Sequence, residues 1–241
     1  MTKPIRATLI PIFASFALAA CGGNDGPATQ QGPRPAPSTD ASTESTSPAA
    51  DDKAAIRKAL LVLTDLPTGW TGSDDEDESD PSDCAAIRSA RSAASARDSS
   101  RDFAHQPTGQ VSHSVYLYSD EQRAASAYRD LVTQESRTCL GSQLRDRLSR
   151  ETVQKDVKVG DVETSELAID PAGEQSSASR VSLDYSTSGL DLTLATDLVY
   201  IREGRGISFL VLVDETATFD EQLRARLASV VARKLRNAVA Q

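Results

Sequence analysis

Residues 207–213 read Ile-Ser-Phe-Leu-Val-Leu-Val, and this run restricts the fold more than any other part of the chain. An extended chain puts successive side chains on opposite faces, and here both faces are apolar. Such a strand has to lie inside a sheet or beneath helices. The residues before it supply the sheet. Val181, Leu183 and Tyr185 alternate with Ser182, Asp184 and Ser186, and Ser188-Gly189 turns the chain. A long strand follows with Leu190, Leu192, Leu194, Leu198 and Tyr200 on one side, and Gly204 and Gly206 mark a second hairpin. The residues after the run supply a cover. Thr218-Phe219-Asp220-Glu221 reads as a capping box. It opens a helix whose stripe is Phe219, Leu223, Leu227, Val230, Val231, Leu235 and Val239. Acids at its start and Arg233, Lys234 and Arg236 near its end both suit the helix dipole.

The first half of the folded part is more helical. Ile56, Leu60 and Leu63 recur at helical spacing from Lys53, with Leu61 alongside, and Pro67 and Gly69 turn the chain before Trp70, the only tryptophan. Trp70 is expected to cap the core beside that first helix. Ala85–Ser95 reads as a short Ala-rich helix with Cys84 at its start. Val111–Tyr118 alternates as a strand, with Val111, His113, Val115 and Leu117 on one face. Ser119-Asp120-Glu121-Gln122 reads as a capping box for a helix through Val132. Cys139 falls just past its end, and Leu140, Leu144 and Leu148 suggest another helix. One or two short strands are expected from Val157 to Ile169. Strands joined by hairpins with helices before and after make the fold class α+β, an antiparallel sheet covered by helices.

What precedes residue 52 is of another kind. Lys3 and Arg6 precede an apolar stretch, Ala7–Ala17, that is too short for the roughly 20 residues of a membrane span. Leu18-Ala19-Ala20-Cys21-Gly22 resembles the cleavage site of bacterial lipoproteins. In that family the cysteine, here Cys21, is diacylated and becomes the new N-terminus. Two acyl chains make membrane attachment stable where one is marginal. Residues 22–51 are rich in Gly, Pro, Ser and Thr and carry almost nothing to bury. They read as a disordered tether, with the Ser38–Ser47 cluster as plain spacer or an O-glycosylation site. The expected organisation is therefore a signal peptide at 1–20, lipidated Cys21 and tether at 21–51, and one α+β domain at 52–241.

Charge and cysteines narrow the function. The chain has 26 basic and 35 acidic residues, and Lys3 and Arg6 leave with the leader. An acidic mature protein is a poor partner for nucleic acid or an anionic lipid surface. With Cys21 assigned to lipid, Cys84 and Cys139 remain, and an even remainder in an oxidising compartment reads as one disulfide. Closing that loop contributes up to roughly 4 kcal/mol in a chain-entropy account. No Cys-x-x-Cys is present, so a redox pair is disfavoured.

Catalytic signatures are sparse. His105 and His113 are the only two histidines, too few for a zinc site without other ligands. No Gly-x-Ser-x-Gly elbow occurs, and Gly204-Arg205-Gly206 joins two strands where a phosphate loop would open a helix. The acidic run Asp74, Asp75, Glu76, Asp77, Glu78, Asp80 and Asp83 lacks the glycine and terminal glutamate spacing of an EF-hand, so it reads as a solvated loop. Arg88, Arg91, Arg97 and Arg101 read as solvated surface, with an anion site as the alternative. No metal and no cofactor are expected.

The stretch Leu60–Trp70, LLVLTDLPTGW, resembles the "LL…DLPxGW" opening of a group of actinobacterial envelope lipoproteins and of the extracellular sensor domain of PknH-like receptor kinases. The Ser112–Val115 strand before an Ala-rich helix and the late GRGISFLVLV strand before an amphipathic helix are similar in order. The resemblance implies a helix-covered antiparallel sheet with a groove for an unidentified ligand, although those sensor domains carry two disulfides and this chain one. The expected function is a non-catalytic, lipid-anchored binding or sensor-like module on the extracytoplasmic face of a cell membrane. It would be monomeric, held by Cys21, with a small molecule, lipid or cell-wall fragment as ligand. The alternatives are a structural or partner-docking lipoprotein and a lipid carrier.

Overall fold

The computed structural model describes residues 48–72, 84–105, 109–151, 157–187, 190–214 and 218–240. The leader, Cys21, the tether through residue 47, the run Asp74–Asp83 and Ser188-Gly189 lie outside the described residues. In chain order the helices are α1 (Pro48–Ala59), α2 (Ala85–Ala93), α3 (Glu121–Leu131), α4 (Gln134–Glu151) and α5 (Glu221–Val239). The strands are β1 (Trp70–Gly72), β2 (Ala96–Ser99), β3 (Phe103–His105), β4 (Gly109–Leu117), β5 (Val157–Leu167), β6 (Gln175–Thr187), β7 (Leu190–Glu203) and β8 (Gly206–Asp214).

All eight strands join one open antiparallel sheet in the order β1-β3-β4-β8-β7-β6-β5, with β2 pairing the far half of β4. The two-faced apolar run is β8, at the centre of this order. On one face Ile207 and Phe209 pack with Tyr116, Leu198 and Tyr200 under α2, α3 and α4. On the other, Leu210 and Leu212 pack with Val111, Val199 and Ile201 under α5. Helix α1 lies beside the second half of α5, over Val115 and Leu117. The fold is α+β, and its sheet is covered on both faces. A fully buried Leu, Ile or Phe contributes roughly 1.5–3 kcal/mol, so a strand with such residues on both faces holds both helix layers.

Several boundaries differ from the sequence expectation, each for a local reason. Helix α1 starts at Pro48, where the missing N–H of proline costs nothing, and stops at Ala59; Leu60 and Leu61 are buried beyond its end. Cys139 lies within α4, one turn in, and not between helices. Strand β5 is continuous, with a register shift between Val159 and Val162. Strands β1, β2 and β3 were not foreseen, because three or four residues are too few to display an alternation. The stripe on α5 is rotated: Arg224, Ala228, Ala232 and Ala238 are buried with Leu227, Val231 and Leu235, while Leu223, Val230 and Val239 are half-buried.

The caps are corrected as well. Asp120, not Ser119, caps α3 by accepting from the Arg123 N–H at 2.8 Å. Asp220, not Thr218, caps α5 by accepting from the Leu223 N–H at 2.6 Å. In each case a carboxylate nearer the first turn outcompetes a hydroxyl, because it makes a charge-assisted bond and favours the positive end of the helix dipole. Asp220→Ala is therefore expected to lower stability by about 1 kcal/mol. Thr218→Ala should leave it nearly unchanged; urea denaturation of the two variants checks this.

Candidate functional site

Asp197 is the residue from which the site is built. It lies on β7 between Thr196 and Leu198, and its side chain is fully buried at 0% exposure on the α5 face of the sheet. A lone carboxylate there would be costly, so it has to be paired. Arg180, its cross-strand partner on β6, grips it with both sides of the guanidinium: Nε donates to Oδ1 at 2.6 Å and Nη2 to Oδ2 at 2.9 Å. Arg224, one turn into α5, reaches down and donates from Nη1 to Oδ2 at 2.7 Å. Its own side chain is 6% exposed. The hydrogen bond to Asp197 holds the Arg180 guanidinium above its usual pKa range, outweighing its partial burial.

The two arginines of this ion triad line a cleft of about 440 Å³, together with Leu167, Ala168, Thr218, Phe219, Asp220 and Glu221. One wall is the end of β5 with the β6 surface, and the other is the start of α5. Two guanidiniums share one carboxylate, so donors are left over. Nη2 of Arg224 reaches the Glu221 carboxylate only at 4.0 Å, beyond hydrogen-bond range, and that carboxylate is 83% exposed. Asp197 accepts three charge-assisted bonds from two arginines. The arrangement can therefore recognise a polar group by donation.

A second cleft, of about 410 Å³, runs between α4 and β5. Thr138, Ser142, Arg145, Asp146, Asp161, Val162 and Thr164 line it. Two of its hydroxyls are already engaged, since Gln134 Nε2 donates to Thr164 Oγ1 at 3.0 Å and to Thr138 Oγ1 at 3.3 Å. Cys139 sits beside this wall and is joined to Cys84, the residue preceding α2, with Cα atoms 5.8 Å apart. The bridge ties α2 to α4 beneath the Tyr116–Tyr118–Tyr128 cluster.

The residues singled out in the sequence fall elsewhere. His113 is buried on the α5 face, and its Nδ1 accepts the Leu61 N–H at 3.1 Å. That bond fixes the proton on Nε2, which has no partner. Ser208 lies on the same sheet face, opposite Val115, and its hydroxyl is also buried without a partner. A protonated Nε2 cannot take a proton from serine, so this pair lacks the geometry of a nucleophile and its base. Burial is the main cause that lowers the His113 pKa, to about 3, with the Lys234 charge adding to it.

His105 is exposed on β3, its ring 5.4 Å from Trp70. Trp70 is buried with Leu61 and Leu66 and lies 6.4 Å from the ring of Phe219, which lines the first cleft. The four arginines do not form one site. Arg88 and Arg91 lie on α2 and Arg97 on β2 opposite Tyr116, whereas the Arg101 stem lies against Gly72 on the β1 edge. Among the described residues, no group of three or more His, Cys, Asp and Glu could hold a metal ion, and no helix is long and apolar enough to cross a membrane.

Sequence reasoning did not find Asp197, Arg180 or Arg224. A signal was present: Asp197 is a charge inside the apolar stretch Leu194–Ile201, and Arg224 sits one turn before Leu227 and Ala228 on the inward side of α5.

No family model and no curated protein matches the chain. Among solved structures it is similar to the extracellular domain of PknH from Mycobacterium tuberculosis, at 8% identity over 77% of this chain and 94% of that one, with a TM-score of 0.40. It is also similar to LpqN, involved in cell envelope biogenesis of the same organism, at 12% identity over 69% and 76% with a TM-score of 0.30. A third is a protein of unknown function from Pseudomonas aeruginosa, at 15% over 50% and 69% with a TM-score of 0.20. The first of these is the sensor-domain group that Leu60–Trp70 resembles. At these identities and TM-scores no ligand, activity or residue role passes to this chain.

Two measurements probe the energetics. Asp197→Ala strands Arg224 without its partner in a buried position and is expected to cost about 3–5 kcal/mol, read by denaturant unfolding. His113 is neutral in the fold down to about pH 3 but takes up a proton near 6.5 when unfolded. Stability is then full above pH 6.5 and falls as pH drops from 6.5 toward 3. In that window His113→Gln, which keeps an acceptor for Leu61, should flatten the pH slope by up to about 1.4 kcal/mol per unit.

Proposed function

We propose that this chain is a non-catalytic, lipid-anchored binding or sensor-like module on the extracytoplasmic face of a cell membrane. It holds a small molecule, lipid or cell-wall fragment in the cleft between β6 and the start of α5. The observation that carries the reading is the cleft itself, where a buried Asp197 orients two arginines that line a concave, partly apolar wall. The leader before Cys21 supports the anchor, and the Cys84–Cys139 bridge suits an oxidising compartment. The partner-docking reading draws support from Val62 and Leu63, adjacent and exposed at 48% and 44%. Two side chains are a small contact area, and the mixed polar lining of both clefts does not favour a lipid carrier.

The anchor is tested by the intact mass of the protein purified from its native membrane. The expected result is a chain starting at Cys21 with diacylglycerol attached, gaining about 2 Da on reduction as one disulfide takes up two hydrogens. A chain starting elsewhere without lipid, or free thiols, would overturn the reading. Binding is tested through Trp70, whose ring neighbours Phe219 in the cleft lining. Fractionated envelope lipids or wall fragments should change its fluorescence saturably; silence with every fraction removes the small-ligand reading.

A further inference from the structure

Arg224 is unusual for an arginine on a surface helix. It is almost wholly buried, yet one of its terminal nitrogens finds no acceptor within hydrogen-bond distance among the described residues. The nearest candidate is Glu221 at 4.0 Å, one turn back on α5 and nearly free in solvent. Asp197 does not occupy this nitrogen, because it bonds Nη1 of Arg224 and the Nε and Nη2 side of Arg180. Among the described residues, Nη2 of Arg224 and Nη1 of Arg180 therefore have no hydrogen-bond acceptor, and both belong to guanidiniums that hold the same carboxylate. Both residues line the cleft.

Guanidinium donors in fixed orientation select planar or tetrahedral oxyanions, which accept two parallel bonds. Asp197 supplies the fixed orientation. It does not cancel the pair, since one carboxylate faces two guanidiniums. The acids at the rim do not occupy the donors either: Asp220 is committed to the α5 cap, and Glu221 is solvent-exposed and 4.0 Å from Nη2 of Arg224, so it is displaced at little cost. Leu167, Ala168 and Phe219 add an apolar wall for the body of a ligand.

We infer that the cleft at the start of α5 binds the oxyanion group, a carboxylate or a phosphate, of a small ligand, held by Arg224 and Arg180 with Glu221 as the carboxylate it displaces. This rests on the binding-module reading above and names the chemistry of its ligand.

The test uses the full chain in detergent with ¹⁵N-labelled arginine. It is titrated with inorganic phosphate, with acetate and with glucose at constant ionic strength. Phosphate or acetate should move the Arg224 and Arg180 Nε–H resonances saturably, while glucose leaves them in place. A response to phosphate alone assigns a phosphoryl group, and one to acetate alone a carboxylate. Arg224→Gln should weaken the anion at least about tenfold, the worth of a charge-assisted hydrogen bond. Glu221→Gln, an exposed change that leaves the core intact, should tighten it about threefold by removing the competing carboxylate. Anion binding that Glu221→Gln does not tighten lies elsewhere and overturns the inference. So does a response to glucose without one to either anion, which leaves a neutral-ligand cleft. If all three probes are silent while Trp70 still reports an envelope fraction, the oxyanion is wrong and the binding module survives. If both assays are silent, both readings fall.

Discussion

Strand β8 carries the organisation of this protein because it has no face to give to water. Ile207 and Phe209 point one way, Leu210 and Leu212 the other, and none is more than marginally exposed. Apolar burial is roughly proportional to area, so leaving either face uncovered would forfeit the largest favourable contribution to folding. The chain answers with a helix layer on each side. α5 lies over one face, and α2, α3 and α4 lie over the other. The polar residues of β5 and the short strand β1 fall to the sheet edges, where one-sided or shallow burial is tolerable.

The layers are tied by contacts between residues far apart in sequence. Lys234 on α5 donates to the Leu60 carbonyl and to Asp65, holding the turn after α1. His113 on β4 receives the Leu61 N–H at the same corner. Arg205, in the β7–β8 turn, clamps Asp52 of α1 with both terminal nitrogens, and this bond holds the Asp52 carboxyl below its ordinary range. Most of these charges are partly shielded from solvent, where geometry matters more than in exposed pairs. The LLVLTDLPTGW stretch is thus a structural corner: its Leu61, Leu66 and Trp70 enter the core, and its polar atoms are used by β4 and α5.

The Asp197 triad ties β6, β7 and α5 together. A buried carboxylate between two arginines is rarely the most stable filling for a core position, since apolar residues of similar size often do as well. What it provides here is position. Arg224 is held by Asp197 from below, and the α5 cap at Asp220 sets where that helix begins. The two arginines in the cleft lining are thereby held in fixed orientation.

The sequence alone determined the elements that depend on local pattern. The two-faced strand, the hairpin at Gly204, the alternation of Val111–Leu117 and the final amphipathic helix all follow from side-chain periods that a few neighbouring residues display. The cysteine pairing followed from compartment and count. What tertiary structure decided was everything resting on long-range geometry. The helix caps shifted to Asp120 and Asp220 because a carboxylate competes better than a hydroxyl once the helix axis is set by packing. Strands β1 to β3 exist because β4 and its neighbours offer an edge to pair with, not because their few residues prefer extension. The cleft was invisible for the same reason. Arg180, Asp197 and Arg224 lie on three different elements, and only the register of β6 against β7 and the rotation of α5 about its axis bring their charges together.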